Sequence, residues 1–275
     1  MPGLRAALPA ALLLLSSFPP AAAKQPPWPW VPGVMHALNP SDSQASAAAR
    51  TALHYSNYHG ASPSRLRALH QVLKATVKAI PEVGMKYYMH FTTEDYITGE
   101  DAGSCLATVL YLKKSPPQVY IKCTHTQDKK QIHEEDNRFY QYLQHRKKPI
   151  IASNIPDSYG NIDRDHLALW GLAIAGSSCI MWERSREKLA YFVAQVKAVK
   201  QWIRKDSAVE FEFMILLHET PTQKIDLCHM HLIWILGHPL EVKYICTSDS
   251  HGLEDGSGQD SGSAAGMFHG KEGNF

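Results

Sequence analysis

The stretch from Cys228 to Cys246, CHMHLIWILGHPLEVKYIC, sets two alternating apolar runs on either side of a Gly-His-Pro break. Met230, Leu232 and Trp234 precede the break; Leu240, Val242 and Tyr244 follow it with the same period of two. That pattern is the signature of a β-hairpin whose inward and outward side chains alternate. Pairing the strands about Gly237 makes Cys228 and Cys246 cross-strand partners, within reach of a disulfide. The same construction occurs earlier, from Cys105 to Cys123, as CLATVLYLKKSPPQVYIKC. The cysteine spacing is identical in both, and the second pair lies one domain-length further along the chain. The chain therefore reads as two copies of one unit, each closed by a hairpin disulfide.

The segments upstream of the hairpins support the duplication. From Ser43, QASAAARTALHYSNYH carries helix-forming alanines and an apolar face through Ala45, Ala49, Ala52, Leu53 and Tyr55, and Gly60 supplies a stop. A strand is predicted over residues 66–80, with Leu73, Ala75, Val77 and Ala79 on one side and Lys74, Thr76 and Lys78 on the other. MKYYMHFTT (85–93) supplies the next strand, and the first cysteine hairpin follows. The second half repeats that order: a helix over 167–182 that is apolar on nearly every side, a strand over 189–203, a strand over 209–217, then the second hairpin. Between the copies, Gln131 to Arg146 reads as a helix with acidic residues early and basic residues late, as the helix dipole prefers. Its apolar stripe is Phe139, Tyr142 and Leu143, which predicts that it docks across both units rather than acting as a tether.

The expected fold is α+β: two tandem units, each a helix on a four-stranded antiparallel sheet, joined by a linking helix. The corresponding boundaries are a signal peptide at 1–23, a Pro/Trp-rich arm at 24–42, domain 1 at 43–125, the linking helix and turn at 126–163, domain 2 at 164–247, and a disordered Gly/Ser/Asp-rich tail at 248–275. The opening MPGLRAALPAALLLLSSFPPAAA has Arg5 ahead of a ten-residue apolar run and ends on small residues, which predicts export with cleavage after Ala23. Ten apolar residues are too few to span a bilayer. Five cysteines in an exported chain suggest two bridges and one leftover, Cys179, expected as a buried thiol. The formal net charge is +2 and no long basic run appears along the chain, which argues against nucleic acid as a partner. No acceptor sequon for N-glycosylation has a permitted middle residue.

Motifs for chemistry fail on inspection. His218-Glu219 begins like a zinc-protease helix, but Pro221 breaks it and Thr222 stands where the second histidine belongs. His229 and His231 share a strand face, with no third ligand placed by the pattern. Ser177 and Ser178 lack the strand-to-helix elbow of a nucleophilic serine. The acidic tail positions Asp249, Glu254, Asp255 and Asp260 are too few for a hard-cation site and read as solubilising residues. The expectation is a protein that is not an enzyme and needs no cofactor.

Four stretches, EEDNRFYQYL (134–143), NIPDSYGNID (154–163), VKQWIRKD (199–206) and LLHETPTQKI (216–225), resemble the latexin family of cystatin-like proteins. The signal-like opening, the cysteine pairs, the run ATVLYLKKSPP and the tail HGLEDGSGQDSGSAAG resemble a secreted, eggshell-matrix branch of that family. The resemblance implies inhibition of zinc metallocarboxypeptidases of the A/B type by surface binding, in an extracellular eggshell setting. The family loop that approaches the enzyme matches Thr222-Gln223-Lys224 here, with Gln223 at the family glutamine. Lys224 replaces an acidic residue, and Leu227-Cys228 replaces a Pro-Trp-type pair. Gln195-Val196-Lys197-Ala198-Val199 does not reproduce the Gln-x-Val-x-Gly motif of cysteine-protease inhibitors. A competing reading keeps the fold as a structural scaffold contacting eggshell proteins or calcium carbonate mineral, without inhibition.

Overall fold

Residues 33–124 and 128–248 are described by a computed structural model. The signal-like segment, the first part of the arm and the tail beyond Ser248 lie outside these residues. The first half contributes β1 (Met35–Leu38), α1 (Ser43–Gly60), β2 (Arg67–Ile80), β3 (Gly84–Asp95), β4 (Asp101–Leu112) and β5 (Gln118–Cys123). The linking helix is α2 (Lys129–Gln144). The second half contributes β6 (Ile151–Ile155), α3 (Leu167–Arg184), β7 (Ala190–Trp202), β8 (Val209–Thr220), β9 (Ile225–Trp234) and β10 (Glu241–Ser248). The strands make two antiparallel sheets, each in chain order: sheet A from β1 to β5 and sheet B from β6 to β10.

The α+β architecture of two tandem cystatin-like units is therefore present, with a fifth strand in each sheet beyond the four expected. Met35–Leu38, read from sequence as part of an extended arm, pairs with β2. Ile151–Ile155, read as part of the linker, pairs with β7. Both are short edge strands of four and five residues, too brief for a period of two to register.

The copies agree in detail. β2 and β7 are each kinked twice against their neighbours, between Leu69/Gln71 and Val72/Lys74 in one and between Val193/Gln195 and Val196/Ala198 in the other. Each β-bulge adds a residue to one strand and reverses which side chains face inward. Hence Val72, Ala75 and Val77 are buried while Leu73 points out, a correction to the strict alternation that put Leu73 inward. The three-residue step from Val72 to Ala75 across the bulge recurs in β7 from Val193 to Val196 and from Val196 to Val199, all buried.

Both helices line one shared interior, α1 against α3. Contact on two sides explains why α1 needs alanine nearly all round: Ala45, Ala48, Ala49 and Ala52 are fully buried. Asp42 caps its start by accepting from the Gln44 amide, and Ala61, one residue past Gly60, takes the left-handed closing position. In α3 the small residues are spacers. A Cβ on Gly171 would lie 2.7 Å from the Pro63 carbonyl oxygen, and one on Gly176 would lie 2.4 Å from Leu232 Cδ1. Polar bonds cross the same boundary, from Trp182 Nε1 to the Pro117 carbonyl at 2.9 Å and from the Tyr58 hydroxyl to the Leu240 carbonyl at 3.2 Å.

Candidate inhibitory loop and domain junction

The turn joining β8 to β9 projects Pro221, Thr222, Gln223, Lys224 and Ile225 into solvent. Two backbone bonds close it: Glu219 N–H donates to the Lys224 carbonyl at 2.8 Å, and Gln223 N–H donates to the Glu219 carbonyl at 2.9 Å. The Glu219 carboxylate holds it from beneath, accepting from the Thr222 hydroxyl at 2.6 Å and from the Tyr191 hydroxyl. Burial works against the charged carboxylate, yet these bonds, with Arg184 and Lys224 nearby, hold Glu219 below the usual glutamate range. Arg184 sits over the Tyr191 ring and pairs with buried Asp226, which completes the base of the turn.

Gln223 lies in the left-handed region, at φ 63°. The corresponding turn of the first half, between β3 and β4, makes the same two bonds: Asp95 N–H to the Glu100 carbonyl at 2.7 Å and Gly99 N–H to the Asp95 carbonyl at 2.9 Å. There the left-handed position is Gly99, at φ 72°. Glycine is the residue such a turn favours, because a Cβ crowds the following carbonyl there. The exposed tips correspond, Thr98, Gly99 and Glu100 in the first turn and Thr222, Gln223 and Lys224 in the second, while Tyr96 and Ile97 ahead of the first tip pack back on the core.

The linking helix spans both halves. Its buried Asp136 accepts from the Ser62 hydroxyl at 2.5 Å and from the Ser64 amide at 3.0 Å, both in the first half, and burial raises its pKa. One turn later Tyr140 and Phe139 close on Trp234 of β9, with ring centroids 5.2 and 5.9 Å away. Leu143 is fully buried, and its carbonyl accepts from Gln201 Nε2 at 3.0 Å. Tyr142, grouped with these residues on the stripe, is 53% exposed and contacts Arg146 instead. Tyr140 takes the buried place because the helix turns its 136, 140, 143 face to the protein.

Both hairpin disulfides are formed, Cys105–Cys123 and Cys228–Cys246, each joining directly opposed residues with Cα atoms 4.0 Å apart. Cys179 is a buried free thiol whose pKa burial pushes up to about 12, so it is inert at neutral pH.

The family model for latexin matches residues 38–252. The chain is a member of the latexin family. It is similar to chicken ovocalyxin-32, with 69% identity over 275 residues and 100% of each chain covered. Human retinoic acid receptor responder protein 1 is 38% identical over 225 residues, covering 79% of this chain and 76% of that one. Human latexin is 33% identical over 210 residues, covering 75% and 94% respectively.

In this latexin-family fold, residues 222–224 lie at the start of β9 and the junction residues 139, 140 and 143 pack at its end. The ten-residue strand spans about 30 Å, so the fold separates the two sets rather than joining them. Alternation missed the supports beneath the loop, Tyr191, Glu219, Arg184 and Asp226. One signal was available: Asp226 shares inward parity with Cys228 and Met230, an acid where an apolar residue belongs. The remaining chemical candidates are structural in their contacts. Ser177 and Ser178 donate to the Ala173 and Ile174 carbonyls within α3, and His231 bonds Glu210 at 2.8 Å on the outer face of sheet B.

Proposed function

We propose that the protein inhibits a zinc metallocarboxypeptidase of the A/B type, presenting Thr222, Gln223 and Lys224 to the mouth of the enzyme's active site, and that it works in the eggshell matrix. The observation carrying this reading is Gln223 itself. The turn favours glycine, its duplicate has glycine, and the glutamine side chain is exposed. A costly conformation with the side chain free in solvent, at a position where the duplicate turn carries glycine, supports a role for Gln223 outside the chain. Family membership and similarity to ovocalyxin-32 support the class of partner and the setting.

The chemistry suits a blocker that is not cleaved. An amide side chain hydrogen-bonds a zinc-bound water or an active-site side chain without offering the free C-terminal carboxylate that such enzymes bind in substrates. The Glu219 clamp fixes the loop before binding, which lowers the entropy lost on association. Lys224 steers the loop toward an acidic enzyme rim and makes the association rate salt-dependent. The test is titration of the oxidised full chain against A-type and B-type carboxypeptidases. Tight, reversible inhibition without loop cleavage is expected. If no enzyme is inhibited at micromolar protein while both disulfides are intact, the scaffold reading replaces this one.

A further inference from the structure

Because sheets A and B are copies, the outward face of each is a control for the other. On sheet A, Lys78 of β2 stands directly opposite Lys86 of β3. Four residues along the strands, Lys74 and Lys122 lie at the two ends of a single cross-strand row, on β2 and β5. Between these rows runs a third, Thr76–Tyr88–Thr108–Tyr120. No acidic residue occupies these rows across β2 to β5, and among the described residues none of the four lysines is in an ion pair. Like charges directly opposed on neighbouring strands destabilise a sheet, so the fold gains nothing from Lys78 facing Lys86.

Sheet B balances the same positions. Glu210 and Glu212 of β8 stand where β3 has Lys86 and Tyr88, and Glu241 of β10 stands where β5 has Gln118. Lys200 and Lys243 share that face, and Glu210 bonds both Arg204 and His231. One sheet neutralises its outer face internally, and the other leaves four lysines without a carboxylate partner among the described residues.

We infer that the outer face of sheet A, built on Lys74, Lys78, Lys86 and Lys122 around Tyr88 and Tyr120, binds a sulfated polysaccharide. The lysines mark out a wedge about 13 Å long, about 5 Å wide at Lys78 and Lys86 and about 14 Å wide at Lys74 and Lys122, from strand rise and strand spacing. Tyr120 is 70% exposed, and Tyr88 lies two strands away, about 10 Å, near the length of one disaccharide. The Tyr120 ring offers a flat surface for sugar C–H groups, the Tyr88 ring carries the Lys86 ammonium 5.2 Å from its centroid, and the Thr76 and Thr108 hydroxyls lie between and beside them as hydrogen-bonding groups. The two disulfides fit an extracellular chain, and sulfated chains are polyanions of that compartment.

The experiment measures binding of the full oxidised protein to heparin, to fully desulfated heparin, to duplex DNA and to phosphatidylserine vesicles across a salt series. Wild type is expected to bind heparin and to lose at least tenfold in affinity for the desulfated chain. Lys78→Gln/Lys86→Gln and Lys74→Gln/Lys122→Gln should each weaken heparin binding about tenfold and flatten its salt dependence by about one log–log slope unit per lysine, through lost counterion release. Tyr120→Ser should weaken binding several-fold with the salt slope unchanged. Lys200→Gln/Lys243→Gln on sheet B should bind as wild type, and Lys78→Gln/Lys86→Gln, which relieves the opposed pair, should melt at or above the wild-type temperature. The inference is overturned if the sheet B variant weakens as much as the sheet A variants, if all bind alike, or if DNA or vesicles bind as tightly as heparin.

Discussion

Replacing Gln223 with glycine should make the protein more stable and, on the proposed function, a poorer inhibitor, and the size of the first effect follows from the turn. At φ 63° an L-residue bears roughly 1–2 kcal/mol from Cβ crowding. No hydrogen bond of the Gln223 side chain within the described residues offsets this. Glycine removes the crowding but adds freedom to the unfolded chain, a cost of about 0.5–1 kcal/mol. The net gain is about 0.5–1 kcal/mol, or roughly 1–4 °C in Tm for a chain of this size. The duplicate turn shows that glycine fits, since Gly99 makes the same pair of backbone bonds at φ 72°. Inhibition should fall about tenfold, or about 1.4 kcal/mol, as expected for truncating an interface anchor. Urea melts with an unchanged m-value and inhibition titrations on one preparation read both effects. A variant that is destabilised, or that inhibits as well as wild type, refutes the claim that the conformation of Gln223 is kept for its partner.

Other perturbations test the fold that carries the loop. Leu143→Ala should cost about 2–5 kcal/mol through an unfilled cavity, whereas Tyr142→Ala should stay within about 0.5 kcal/mol; urea melts that fail to separate them would show that α2 is not docked by its buried face. Breaking Cys228–Cys246 by Cys228→Ser/Cys246→Ser should cost about 3 kcal/mol from loop entropy, read by thermal melts against the oxidised parent. Gly171→Ala should destabilise by about 1–3 kcal/mol, because the added methyl meets the Pro63 carbonyl 2.7 Å away, a backbone atom with little room to yield. His54 lies between the halves, with Nε2 3.0 Å from the Tyr191 carbonyl, and burial depresses its pKa from 6.5 to about 4. The unfolded chain then binds the proton more tightly, so this stability is full above pH 6.5 and is lost as pH falls toward 4. The loss is up to about 3 kcal/mol. His54→Gln should flatten the stability curve across that window, and an unchanged slope would show that the ring is not held neutral.

Local chemistry made a large part of this architecture legible in advance. Helix α1 was bounded by its alanines and by Gly60, and α3 by an apolar run too continuous for a strand. The cysteine partners followed from hairpin parity, because residues opposed across a turn are set by counting outward from it. The identity of the candidate loop came from the match at Thr222-Gln223-Lys224, since a polar turn between two strands has no spacing of its own.

What tertiary structure decided is whatever depends on a neighbour. Leu73 faces out and Val72 in because β2 bulges against β3, and a bulge belongs to a pair of strands rather than to either one. MHAL and IASNI became strands because β2 and β7 offered open edges. Tyr140 displaced Tyr142 from the buried face of α2 once Trp234 was in place to receive it. The four lysines of sheet A are scattered from Lys74 to Lys122 in sequence and look like ordinary solvated charge there; strand pairing alone puts them on one face. Gln223 is one more polar loop residue until the backbone bonds to Glu219 and Lys224 set its φ. In each case the sequence by itself determined which residues were apolar, small or charged, and long-range pairing determined what each of them faces, because facing is a relation between segments that lie far apart along the chain.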